Sequence, residues 1–341
     1  MPGPHLLKVE GLTTMYPLSR AHVLAPRRFM HAVDGVDLEL DPGATLGLVG
    51  ESGSGKSTTA LSILRLIEPS HGKVIFNGEN ILTLSRRDMR AVRRKMQIIF
   101  QDPYSSLNPK WRVEDIICEP LDVQRTGTRA QRRARVGELL EIVGLRSDHA
   151  SRFPAEFSGG QRQRIAIARA LATEPELLVS DEIVSALDVA VQAKILNLMT
   201  TIQKTLGVSF LFISHDLSVV YHMCRQIAVM YLGTIVERAS RANLFERPLH
   251  PYTNALLSAV PRVGEWSSHD DVVATPRDEL GSPLAVTTGC RFAPRCSFAI
   301  ERCITERPAL RQIEDSWVAC HRVTPSGVRE WNDNSPTALH P

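Results

Sequence analysis

Short apolar runs separated by turn residues fill the first fifty positions. Residues 7–12, 32–40 and 45–49 read as strands, with Asp41-Pro42-Gly43 as a turn between the last two. A Gly-rich loop follows, and then the period changes: residues 58–67 carry Leu61, Leu64 and Ile67 at helical spacing. Residues 73–76 and 96–100 return to short strands. From about 103 to 172 strand-like alternation stops, and an Arg-rich amphipathic stretch at 130–143 predicts an inserted helical subdomain. Apolar residues 177–179 and 208–213 then flank a helical stretch at 189–204, the alternation of a parallel sheet wrapped by helices. Residues 227–236 predict a hairpin turning near Gly233, and 261–289, rich in Pro, Ser, Thr and Asp, predict a linker.

Composition narrows the class. A chain of 341 residues exceeds a usual single domain, and 43% hydrophobic with 23% charged residues is ordinary globular usage. The formal charge of +3 balances 40 basic against 37 acidic side chains, too little excess for a partner bound by phosphate neutralisation. The basic run in 130–143 reads as a solvated face, since no aromatic residues are interleaved for base stacking. Nucleic acid is therefore not an expected partner. The N-terminus lacks the basic-then-apolar run of a signal peptide, and no stretch approaches about eighteen charge-free apolar residues. These features predict a chain that stays in the cytoplasm, where reducing conditions disfavour disulfides. Of six cysteines, Cys290, Cys296, Cys303 and Cys320 crowd into one segment, which suggests ligands rather than bridges.

Gly50-Glu51-Ser52-Gly53-Ser54-Gly55-Lys56-Ser57 fits the phosphate-loop pattern and lies in its required context, after an apolar strand and before a helix that continues through Thr58. The glycines let backbone N–H groups cradle phosphates, Lys56 reaches the β and γ phosphates, and the Ser57 hydroxyl holds magnesium. A second strand ends in Asp181-Glu182. Asp181 can orient water on magnesium and Glu182 can polarise an attacking water as general base, which points to hydrolysis rather than transfer to a metabolite. Between these sites, Ser158-Gly159-Gly160-Gln161 opens a further helix and reads as a second anion-binding nest, too far along the fold to serve the chain's own nucleotide.

The phosphate loop, Gln101 at a strand end, the Ser158 segment, the Asp181-Glu182 pair, Ser185-Ala186-Leu187-Asp188 and Ser214-His215-Asp216 follow one another in the order seen in ATP-binding cassette (ABC) proteins, which the chain closely resembles over about 260 residues. The resemblance implies an α/β fold: a P-loop NTPase core of the ABC type, with a mixed sheet and RecA-like core, a helical subdomain at about 103–172 and an antiparallel β subdomain. Residues 1–260 would form this domain, and 261–341 a linker and Cys-rich extension. In the family two such domains dock head to tail, and each ATP lies between one subunit's phosphate loop and the other's signature segment. By the same resemblance Tyr16 stacks on adenine, Gln101 senses the γ phosphate and magnesium, His215 contacts the γ phosphate, and Asp188 reports across the interface. Two departures stand out: Phe157 occupies a position usually held by Leu, and Ile183 one commonly held by Pro. The second could loosen the turn that positions Glu182.

Within the family the chain looks most like the ATP-binding subunits of bacterial dipeptide and oligopeptide importers, from residues 31–36, 100–109, 250–261 and the cysteine segment. That resemblance implies a second ATP-binding subunit, more often a paralogue than a second copy, gripping two membrane permease subunits on the cytoplasmic face of the membrane, with an external substrate-binding protein delivering peptide. Motors for nickel or glutathione import share this design, and a soluble ABC ATPase acting on nucleic acid is the rival class. The spacing Cys-x5-Cys-x6-Cys-x16-Cys matches neither a zinc ribbon nor a tight ferredoxin run, so four thiolates alone leave zinc and iron–sulfur open. Resemblance to the importer subunits implies a [4Fe-4S] cluster, here expected to staple a small tail that lacks a core.

Overall fold

Apolar runs and turn residues become the following elements of the computed structural model, which describes residues 5–18, 28–102, 106–185, 187–259 and 288–331. In chain order they are β1 (Leu7–Pro17), β2 (Phe29–Leu40), β3 (Thr45–Val49), α1 (Lys56–Ile63), β4 (His71–Phe76), β5 (Glu79–Asn80), α2 (Arg86–Lys95) and β6 (Met96–Ile99). There follow α3 (Val113–Val123), α4 (Arg129–Ile142), α5 (Gly159–Leu171), β7 (Leu177–Asp181), α6 (Val189–Leu206), β8 (Ser209–Ser214), α7 (Leu217–Met223), β9 (Gln226–Tyr231) and β10 (Thr234–Ser240). The last are α8 (Arg241–Glu246), α9 (Pro251–Ser258), α10 (Glu301–Thr305), β11 (Arg311–Ile313) and β12 (Ser316–Val318). The expected linker lies almost wholly outside the described residues, as do Pro103, Tyr104, Ser105, Ala186, Val260 and Pro261.

The chain divides into two compact units, the first made of Met1–Leu7, Glu39–Thr45 and Ile75–Ile213. Within it β6, β7 and β8 run parallel, with Met96 opposite Leu177 and Leu177 opposite Ser209. Parallel strands are covered on both faces, which is why Leu177, Leu178 and Val179 are apolar in succession and fully buried. The expected helical insertion is present as α3, α4 and α5, packed through Ile116 and Ile117, Leu139 and Leu140, and Ile165 and Ile167. Thr128 starts α4 with a reciprocal capping box to Gln131. The arginines of α4 meet carboxylates at the surface: Arg132 pairs with Asp122, Arg133 with Glu114 at 3.6 Å, and Arg135 with Glu138 at 2.9 Å. Such pairs contribute little stability, but they leave less of the basic run free for a polyanion.

The second unit comprises Lys8–Leu38, Leu46–Val74 and Ser214–Pro341. Here β3 and β9 are parallel, and β9 and β10 form the predicted hairpin through Leu232 and Gly233, both with positive φ. A separate sheet places β1 between β2 and β4. β1 runs five residues beyond the apolar stretch because Thr13 and Thr14 continue it; these β-branched residues suit a strand, and the Thr14 hydroxyl meets that of Ser62 at 2.8 Å. α1 stops at Ile63, earlier than its spacing suggests, because Arg65 turns into the left-handed region.

The tail differs from expectation. β12 pairs antiparallel with β10, setting Glu237 opposite Val318, and β11 pairs with β12. Leu249, Ile313, Val318, Cys320, Val323 and Trp331 form a buried apolar cluster, with Phe298 stacked on Trp331. The extension thus has a core of its own, extended by sheet pairing, and does not depend on a metal staple for one. Trp331→Ala should cost about 3–5 kcal/mol of the tail's opening free energy, read as faster amide exchange at Ile313 and Val318. Unchanged exchange would mean that this cluster does not hold the tail.

Candidate functional site

β3 ends at Val49, and the chain turns at once into the phosphate loop and α1. A Cβ on Gly50 would sit 2.1 Å from the Met230 carbonyl oxygen, and one on Gly55 would sit 2.2 Å from that of Ala32. Gly55 also has φ +103, so both sterics and backbone require glycine there. The loop is tied to β9–β10 and β2, since Gly233 N–H donates to the Ser54 carbonyl at 2.7 Å and Asp34 N–H to the Gly233 carbonyl at 2.8 Å. Lys56 is buried, and its ammonium donates to the carbonyls of Gly50 at 2.8 Å and Glu51 at 2.9 Å. Ser57 is exposed one residue further, and Thr58 is half-buried. No carboxylate lies in the first turn of α1, so its positive end is not neutralised by its own residues.

The first unit supplies a second constellation. Because β6 and β7 are parallel with Ile99 opposite Ser180, Gln101 and Glu182 leave neighbouring strands at the same end. Gln101 Nε2 donates to Glu182 Oε2 at 3.0 Å and to Ser185 Oγ at 3.3 Å. Asp181 closes β7 opposite Ile213. Glu182 has φ 49, a region few non-glycine residues adopt and one that costs about 1–3 kcal/mol. Three hydrogen bonds hold it there: its N–H donates to the Ile213 carbonyl, and Ser185 N–H and Oγ both donate to the Glu182 carbonyl. Ile183, where a proline was expected, is fully buried and anchors the same turn by packing.

Ser158 caps α5: its hydroxyl accepts from Gln161 N–H while Gln161 Oε1 accepts from Ser158 N–H. Gly159 and Gly160 form the first turn, and a Cβ on Gly160 would meet Val191 at 2.4 Å. Phe157 is buried with its ring edge-on to His149, so the expected apolar anchor is kept. Asp188 caps α6 through Val191 N–H at 2.9 Å. In the second unit His215 is exposed immediately after β8, and Tyr16 is half-buried on β1.

Contacts that no motif announced join the C-terminal segment to the phosphate loop. Buried Glu237 accepts from Leu249 N–H at 2.7 Å and His250 N–H at 2.8 Å, fixing the entry to α9. His250 Nδ1 caps Tyr252 N–H, and the Tyr252 hydroxyl accepts from Glu51 N–H at 2.9 Å. The Glu51 carboxylate is paired with Arg295 at 2.8 Å, while Arg291 pairs with Asp34 and donates to the Leu232 carbonyl. The stretches around Tyr252 and Arg295 are visible in the sequence as motifs, but nothing in their spacing tells that they meet Glu51.

Cys290, Cys296, Cys303 and Cys320 line one pocket with Phe292 and Phe298. Burial pushes the Cys290 thiol up to about 11 and Cys296 up to about 12, and neighbouring thiols add to both. Among the described residues no group of three or more His, Cys, Asp or Glu is set to hold a metal ion. No helix among them is long and apolar enough to cross a membrane.

A family model described as ABC transporter matches residues 33–185, and one described as oligopeptide/dipeptide transporter, C-terminal region, matches residues 236–303. The chain is 46% identical over 335 residues to the probable peptide ABC transporter ATP-binding protein y4tS of Sinorhizobium fredii, covering 98% of this chain and 94% of that one. It is 54% identical over 244 residues to the oligopeptide transport ATP-binding protein OppF of Bacillus subtilis, covering 71% and 80%. Among solved structures, the dimeric post-hydrolysis state of the ATP-binding cassette MJ0796 bound to ADP and Pi matches with TM-score 0.61 and 28% identity, over 69% of this chain and 98% of that chain.

Two buried titratable groups of the α9 anchor give it a pH signature. Burial raises Glu237 to about 7 and lowers His250 to about 3. Glu237 therefore loses its contribution as pH rises from its ordinary value of 4.5 toward 7, and His250 loses its own as pH falls from 6.5 toward 3. Between pH 6.5 and 4.5 unfolding takes up a proton at His250 and releases one at Glu237, so the two slopes oppose. His250→Asn keeps a capping acceptor and removes one slope. Acidification across that window should stabilise the variant relative to the native protein by up to about 1.4 kcal/mol per pH unit, read as a growing difference in Tm.

Proposed function

Because the chain belongs to the ATP-binding subunits of peptide ABC transporters, we propose that it binds magnesium-bound ATP at its phosphate loop and hydrolyses it with Glu182 as general base. The chain is the ATP-binding and hydrolysing motor of a membrane importer of dipeptides or oligopeptides. In the proposed reaction Gly50–Thr58 cradle the phosphates and Lys56 offsets their charge. Ser57, Asp181 and Gln101 hold magnesium and its water, Tyr16 stacks on the adenine, and Glu182 with His215 activates and orients the attacking water. One observation carries this reading: Glu182 is held in a strained backbone turn with its carboxylate fixed by Gln101 at 3.0 Å. A general base works only when its lone pair is aimed, and the closed, packed turn around Ile183 supports turnover despite the missing proline.

Ser158 to Gln161 serve the nucleotide of a second ATP-binding subunit, a paralogue or a second copy, and Asp188 links the two. Two permease subunits receive the stroke at the cytoplasmic face of the membrane, and an external binding protein supplies the cargo. Selectivity among peptide, nickel or glutathione resides in those partners, and peptide is the reading that the named relatives support. Residues 1–260 act as the cassette and 261–341 as its extension.

The four cysteines are proposed to hold a [4Fe-4S] cluster. This reading rests on the importer-like cysteine segment and on the four cysteines lining one pocket, with zinc as the alternative occupant. Bound there, the cluster would cross-link Cys290 and Cys296 to Cys303 and Cys320, and the raised thiols would be kept as thiolates by iron.

Glu182→Gln in the assembled transporter should lower kcat for ATP by about 10²–10⁴-fold while nucleotide binding persists. Equal turnover by variant and native protein would remove Glu182 from the mechanism. Anaerobically purified protein should carry about four irons and four sulfides per chain, lost in Cys303→Ser. Zinc without sulfide would make the pocket a plain structural site.

A further inference from the structure

Glu51 is gripped from two sides by residues more than two hundred positions away. Its backbone N–H donates to the Tyr252 hydroxyl at 2.9 Å. Its carboxylate takes both terminal nitrogens of Arg295, at 2.8 Å and 3.2 Å. The guanidinium lies over the rings of Tyr231 and Phe292, 5.8 Å and 6.0 Å from their centroids, and its side chain is 10% exposed. Its Nε has no partner among the described residues, so its polar contacts run to Glu51 and, at 3.5 Å, to the Tyr231 hydroxyl. Tyr231, Tyr252 and Phe292 pack around it with centroids 4.6–5.4 Å apart, Tyr231 edge-on to Phe292 and the other pairs tilted. A planar cation held on aromatic faces with a forked grip on a carboxylate is a stiff connection.

The connection reaches the peptide units that matter. Glu51 also presents its carbonyl to Lys56 and to Ser54 N–H, so displacing it moves the amino group and the amides that meet phosphate. On the other side Arg295 adjoins Cys296, and the turn that carries it is closed by Cys296 N–H to the Ala293 carbonyl.

We infer that Arg295 is a positioning residue for the phosphate loop: through Glu51 it sets the affinity for ATP, and so makes the cysteine-bearing segment a working part of the nucleotide site. This rests on the reading of residues 50–57 as that site. Arg295 touches no substrate. It lowers the cost of ordering the loop around the phosphates, an effect that belongs in Kd and KM and not in the chemical step. Binding linkage is reciprocal, so ATP in turn steadies residues 290–296.

The test is binding of a fluorescent ATP analogue with magnesium to the full chain, alongside the ATP kinetics of the assembled transporter. Arg295→Gln should raise Kd and KM about tenfold and change kcat at saturating ATP less than about twofold. Arg295→Lys should recover part of the loss. Glu51→Gln should weaken binding, and adding Arg295→Gln to it should weaken it no further. In the native chain the analogue should slow amide exchange at residues 290–296, and in Arg295→Gln it should not. An unchanged Kd in Arg295→Gln, or additive effects in the double variant, would overturn the inference and leave Arg295 a structural residue. Should Arg295→Gln fold poorly, the Lys variant and the native exchange pattern decide by themselves. Failure of the native chain to bind the analogue at all, with Lys56→Ala indistinguishable from it, would instead overturn the assignment of the nucleotide site.

Discussion

Backbone carbonyls pressed against two glycines fix the arrangement on which the second unit depends. Neither Gly50 nor Gly55 can carry a side chain without driving it into Met230 or Ala32, so the phosphate loop lies directly on β9 and β2. That close approach lets Gly233 and Ser54 bond through their main chains and holds Lys56 across the loop. A loop fixed by its own peptide units, and not by long side chains, can meet phosphates with little reordering, which is the condition for tight anion binding at a helix start.

The first unit solves a different problem by parallel pairing. A carboxylate that is to act as base must be aimed, and aiming it requires strain that something else holds in place. β6, β7 and β8 end together, so Gln101 approaches Glu182 from one neighbouring strand and the Ile213 carbonyl from the other. Buried Ile183 fills the turn from beneath. A proline is one way to stiffen such a turn; packing and a doubly donating Ser185 are another.

The tail is the part whose role the fold changes most. With Trp331 and Val318 buried and β12 paired to β10, it folds as a continuation of the sheet that carries Gly233, not as an appendage awaiting a metal. Arg291 and Arg307 of the tail reach Asp34, and Arg295 reaches Glu51. A cluster bound at the four thiols would then stiffen a segment already engaged with the phosphate loop.

Sequence alone marked β3 and β7, whose central residues Leu46–Val49 and Leu177–Val179 are apolar in succession because both faces of the strand are buried. It also marked Gly50–Ser57, the Asp181-Glu182 pair and the Ser158 segment as candidate sites, because phosphate and magnesium impose residue types at fixed local spacing. It missed the length of β1, where threonines carry the strand, and it overran α1, whose end is set by one left-handed residue, Arg65. Only tertiary structure decided that Gln101 meets Glu182, that Tyr252 and Arg295 meet Glu51, and that the tail has a core. Those contacts join positions far apart in the chain, and neither periodicity nor motif spacing encodes which strand lies beside which.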